Sequence, residues 1–127
     1  MNKIFYLIGF FVLSGCAYNR ADEEDLGPPV SYSQEVQPIL VTNCYHCHSA
    51  SAPASPDRNT DPNAQWDVFE NIQRVALKPS SDPRYTQLVA VLKHVEQPFM
   101  PLDKTDPLPD SLVNIIQRWI KQGAPNN

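Results

Sequence analysis

The stretch Cys44-Tyr45-His46-Cys47-His48 decides how the rest of this chain is read. Two cysteines stand three positions apart, and a histidine follows the second without a spacer. At a helix end that spacing brings both thiols to one edge of a bound group and aims the imidazole beneath it. Upstream, Val36, Ile39 and Leu40 fall at helical spacing and lead towards Cys44, so a short helix is predicted to deliver the chain to the cysteines. Pro38 is tolerated only near a first turn, which sets the start of that helix around Ser33 to Glu35.

The rest of the chain bounds what such a site can serve. Its 127 residues fit one small domain plus a targeting segment. The formal net charge of -4 supplies no basic field for nucleic acid or for an anionic lipid surface. Four glycines against thirteen prolines argue against phosphate-cradling loops and for extended, stiffened connections.

The N-terminus reads as an address. Lys3 is followed by an apolar run from Ile4 to Leu13 and then by Leu13-Ser14-Gly15-Cys16. That run is shorter than the roughly 20 apolar residues of a spanning helix. It resembles a bacterial lipoprotein signal, which would make residues 1–15 the signal and Cys16 the lipidated first residue. An ordinary secretory signal with Cys16 incidental is the alternative, and either implies export. Cleavage before Cys16 removes Lys3 and no acid, leaving nine basic groups against fourteen acidic ones, or -5. With Cys16 given to lipid, Cys44 and Cys47 are the only pair left in an oxidising compartment.

Residues 16–30 hold Asp22-Glu23-Glu24-Asp25 and Gly27-Pro28-Pro29 and read as an acidic, flexible tether ahead of a domain over residues 31–127. Ser49 to Pro62 is polar and aperiodic, a loop. Trp66, Phe69, Ile72 and Val75 or Ala76 recur at helical intervals. Asp82-Pro83 predicts a helix start, aspartate as N-cap, with the helix running through Leu88, Val91 and Leu92 to end near Lys93. Pro98, Pro101, Pro107 and Pro109 keep the next stretch non-helical. Asp110 is predicted to cap a last helix whose Leu112, Val113, Ile115, Ile116, Trp119 and Ile120 make one broad apolar face, with Gly123 as its stop.

C-x-x-C-H is a sequence of the kind that attaches c-type haem. Cys44 and Cys47 would form the thioethers and His48 the proximal iron ligand. A thioredoxin-like pair would need a helix start in a βαβ setting, and a structural zinc site would need a second pair of ligands, with only His94 at hand. For the sixth iron ligand Met100 is favoured. It is the only methionine after signal removal and stands in the proline-flanked Gln97-Pro98-Phe99-Met100-Pro101. His94 is the rival, giving bis-histidine ligation; His46 is expected to point away from the iron.

The order of helix, C-x-x-C-H, long loop, two helices, Met-Pro loop and a last helix with a central tryptophan resembles the class I cytochrome c domain. Val36-Gln37-Pro38-Ile39-Leu40, Met100-Pro101, Trp119-Ile120 and Gly123-Ala124-Pro125 resemble small cytochrome c domains of planctomycete-type and related bacterial exported proteins, over roughly Ser31 to Pro125. The resemblance implies an all-α cytochrome c fold, about four helices around one covalent haem c, with the first and last helices crossing at about a right angle. It implies electron transfer; together with the lipoprotein-like signal and an iron held by two ligands, the expectation is a lipid-anchored, extracytoplasmic one-electron carrier on the periplasmic or cell-surface side of a bacterial membrane, with redox protein partners and no catalysis of its own. The alternative is a peroxidase-like enzyme or small-ligand sensor with a displaceable sixth ligand.

Overall fold

The structure is a computed structural model and describes residues 26–52 and 61–127. The lipoprotein signal, Cys16 and most of the acidic tether lie outside the described residues, as does part of the loop after His48. Among the described residues the fold is all-helical, with no strand: α1 (Gln37–Asn43), α2 (Phe69–Ala76), α3 (Gln87–Leu92) and α4 (Asp110–Lys121). No described helix is long and apolar enough to cross a membrane.

α1 continues directly from a wider π turn over Tyr32–Val36. Ser31 caps that turn, its Oγ accepting from the Gln34 N–H, while the Glu35 carboxylate accepts from the Ser31 N–H at 2.9 Å. The helical winding therefore begins at Tyr32, ahead of the boundary that Pro38 suggests. The π turn accounts for the difference: bonds reach back five residues, as from Val36 N–H to the Ser31 carbonyl, and α-winding starts with Pro38 in its first turn.

The starts of the later helices also depart from the sequence reading. Asp82 is not an N-cap, and α3 begins only at Gln87. The Asp82 carboxylate instead accepts from the Arg84 backbone N–H at 3.0 Å and from the Arg84 guanidinium, which holds that carboxyl down at about 2. This local aspartate turn competes with helix, and a bond from Gln87 N–H to the Lys78 carbonyl closes the loop it belongs to. Asp110 likewise stands inside the first turn of α4 rather than at its cap, which is Pro109. There it receives Lys93 Nζ at 2.6 Å, tying the start of α4 to the end of α3. Trp66, placed by periodicity on the face of α2, precedes that helix but is still buried.

The last helix behaves as its apolar face requires. Val113, Ile116 and Trp119 are buried, and Trp119 has no exposed surface at all. Gly123 takes φ +90°, which lets the Gly123 and Ala124 N–H groups return to the carbonyls of Ile120 and Trp119 and close the C-terminus. Tyr32 lies 5.5 Å from Trp119 and 4.7 Å, edge to face, from Phe69, so the first helical segment, α2 and α4 share one aromatic centre.

Leu26 to Val30, assigned by composition to the tether, lie along the end of α4. Gln122 accepts from the Val30 N–H at 2.8 Å and donates to the carbonyls of Leu26 and Pro28. Asn127 likewise accepts from Tyr32 N–H at 2.7 Å through its side chain. Val30 is wholly buried, which is why this end of the segment packs although its neighbours are polar or proline.

Replacing Trp119 by alanine is expected to lower the unfolding free energy by about 3–5 kcal/mol, measured as a fall in the chemical-denaturation midpoint. Val41→Ala, on the exposed side of α1, should change it by less than about 0.5 kcal/mol. Similar losses for both would refute the assignment of this core.

Candidate functional site

A cavity of about 380 Å³ opens where α1 ends. Its size falls in the range of roughly 300–1,000 Å³ usual for cofactor and small-molecule sites. One part of its wall comes from Cys44, Cys47, His48 and Trp66; the other comes from Leu92 and from Met100 to Asp103 in the proline-rich segment.

The motif reaches the cavity because the chain keeps turning after the helix stops. Cys44 N–H and Tyr45 N–H both return to the Leu40 carbonyl, and Cys47 N–H and His48 N–H both return to the Cys44 carbonyl, at 3.0 and 2.8 Å. The two thiols and the imidazole are thereby brought to a single wall. Ser49 Oγ adds a bond to the Tyr45 carbonyl at 2.8 Å that closes the following turn.

His48 is held from its far side. Its ring is buried and stacks on Trp66 with centroids 3.9 Å apart and planes 13° from parallel. Nδ1 lies 3.3 Å from the Ala64 carbonyl, and the Trp66 N–H donates to the His48 carbonyl at 2.7 Å. A carbonyl can only accept, so the proton belongs on Nδ1, which in the neutral form of the ring leaves the lone pair to Nε2, the arrangement typical of a metal-ligating histidine. Trp66 is expected from sequence as apolar wall, but its stack on His48 and the Ala64 carbonyl are not, because Trp66 also fits the helical period of α2. The one available cue was Asp61-Pro62, whose aspartate accepts from Asn63 N–H and starts the 3₁₀ turn Pro62–Ala64.

Met100 reaches the same cavity from a different part of the chain. Its N–H donates to the Val91 carbonyl at 3.1 Å, and Leu108 N–H donates to the Leu92 carbonyl, so the free carbonyls at the end of α3 anchor both sides of the proline-rich segment. His94 does not line the cavity. It adopts φ +56°, stacks on Phe99 at 4.8 Å and points Nε2 at the Met100 carbonyl, 3.3 Å away, acting as a support of the segment. His46 stands at the mouth, its Nε2 3.6 Å from the Asp103 carboxylate.

The chemistry of this donor set is selective. The thiols follow the C-terminus of a helix, the negative end of its dipole, whereas reactive thiolates are favoured at the positive end. Burial pushes the Cys44 thiol up to about 12 despite the nearby Lys104 ammonium, so it is a neutral group at neutral pH. Among the described residues no three His, Cys, Asp or Glu side chains gather to hold a metal ion. A porphyrin supplies four equatorial nitrogens itself and asks the protein only for axial ligands, and the residues present fit that demand: an imidazole with Nδ1 engaged, a thioether, two thiols and apolar walls.

No protein-family model, curated protein or solved structure matches the chain.

In the chain before any group is attached, iodoacetamide at neutral pH is expected to label the partly exposed Cys47 first and the buried, protonated Cys44 far more slowly. Mass mapping of the labelled peptides measures the order. Because the pKa is raised, Cys44 labelling should accelerate as pH climbs towards about 12; labelling of Cys44 first at neutral pH would refute the placement.

Proposed function

We propose that this chain is a monohaem c-type cytochrome: an exported, lipid-anchored one-electron carrier with haem c bound through Cys44 and Cys47 and iron ligated by His48 and Met100. The observation that carries the proposal is the meeting of all four side chains at one cavity, although Met100 comes from a segment more than fifty positions away in sequence.

When bound, the haem supplies the one-electron redox chemistry. The chain's residues set its conditions. His48 is oriented by the Ala64 carbonyl and by Trp66, which restricts rotation of the ring. Met100, a neutral soft donor, favours the reduced metal, and the apolar wall of Trp66, Leu92 and Pro101 disfavours the extra positive charge of the oxidised one. Both effects raise the reduction potential. With His48 and Met100 both holding the iron, no position would remain for substrate, which would favour electron transfer over catalysis. Cys16 would carry the lipid, and the acidic balance suits basic protein partners by speeding their approach.

The test is the optical spectrum of the protein made in a host that attaches haem c. Covalent haem and a weak long-wavelength methionine-to-iron band in the ferric state are expected, with the band lost in Met100→Ala and kept in His94→Gln. Attached haem without the band, or a band that survives Met100→Ala, would overturn His/Met ligation and bring forward an enzyme or sensor with an open iron position. Trp66→Leu should keep the haem but alter the ferric EPR g-values that report the His48 ring orientation; unchanged g-values would show that the stack does not set it.

A further inference from the structure

We infer that Lys104 is a positioning residue, a clasp that holds the Met100-bearing segment across the cavity mouth by bonding to the buried amide of Asn43. The inference rests on the proposed role of Met100 as iron ligand.

Beyond Pro101 the chain runs exposed to solvent. Residues 102–107 are all exposed, Leu102 to 67 %, and among the described residues the next backbone N–H bonded to a helix is that of Leu108. Two side-chain contacts cross the mouth from this exposed run. Asp103 faces His46 at 3.6 Å, but both groups are well exposed and such pairs are weak in water. Lys104 is different. Its Nζ donates to Asn43 Oδ1 at 3.0 Å, and Asn43 is only 8 % exposed.

Asn43 is suited to the task by having a donor and an acceptor on one short side chain. Its Nδ2 donates to the Ile39 carbonyl at 2.9 Å, which orients the amide and leaves Oδ1 turned to Lys104. Asn43 is the last residue of α1, immediately before Cys44, and lines the cavity. The ammonium therefore bonds a buried acceptor and sits at the negative end of a helix, and both features strengthen the contact. At its other end, Lys104 N–H donates to the Pro101 carbonyl, next to Met100. The segment that supplies Met100 is thus fastened to the helix that supplies Cys44. Leucine at position 43 could not accept this bond, and methionine at position 104 could not donate it, while arginine at 104 could.

Hydrogen exchange of the haem-loaded full chain tests this directly. Lys104→Met, a surface change that keeps the aliphatic stem, is expected to speed exchange of the Met100 and Lys104 amides about tenfold, the effect of losing one charge-assisted hydrogen bond. Exchange in α2 and α4 should stay as in the wild type. Asn43→Leu should give the same acceleration, the Lys104→Met/Asn43→Leu pair no more than either alone, and Lys104→Arg nearly none. In the same samples, denaturant should remove the methionine band of Lys104→Met well before it removes helical circular dichroism. Exchange within twofold of wild type in Lys104→Met, acceleration spread evenly over all helices, or additive single effects would overturn the clasp. If the wild type shows no methionine band, the ligand role of Met100 fails, and the exchange rates alone decide whether the clasp exists.

Discussion

The burial of Trp119, on α4, against Tyr32 and Phe69 is the contact on which the remainder of the structure depends. A buried tryptophan removes some 150–250 Å² from water, a large share of what so small a core can gain. Tyr32 at 5.5 Å and Phe69 close the same cluster, so the start of the first helical segment is fixed against α4 and α2 at once. Once Tyr32 is fixed, the path of α1 is fixed, and the short helix has only one place to leave Cys44. Gln122, Asn127 and the Trp119 indole, which donates to the Pro125 carbonyl at 2.9 Å, lock the chain around this centre with polar bonds that water would otherwise satisfy.

The site lies at the other end of α1 and is built largely by helix ends. Helices terminate with unsatisfied carbonyls, and here those carbonyls are put to use. Leu40 and Cys44 receive the N–H groups of the motif, while Ala90, Val91 and Leu92 receive those of the segment that carries Met100. Both halves of the cavity are thus attached to rigid elements although, Asn43 and Leu92 apart, the residues that line it lie outside the helices. That matters for a thioether, a weak neutral donor that relies on the backbone to place it.

Histidine shows how placement, not residue type, sets a role. The three histidines of the chain share one chemistry and end in three environments. His48 is buried against Trp66 with Nδ1 on a carbonyl, His94 is spent on Phe99 and the Met100 carbonyl, and His46 faces Asp103 at the rim. On the proposed reading only the first is prepared as an axial ligand.

Much of this was legible in the sequence because it depends on short-range rules. Helical periodicity located α1 and α4, Gly123 marked a stop that needs positive φ, and the prolines after Val95 forbade a helix. The spacing of Cys44, Cys47 and His48 announced a shared wall, and a lone Met100 between prolines pointed to the same place. Helix starts were less legible: the Asp82 side chain has two local partners to choose between, and its turn with Arg84 competes with a cap. What the sequence could not contain were pairings across long separations. Gln122 with Leu26 to Val30, the Ala64 carbonyl with His48 and Lys104 with Asn43 involve residues of ordinary type at unremarkable spacing. Their partners exist only once the Trp119 core has brought distant segments together, so the tertiary structure alone decided them.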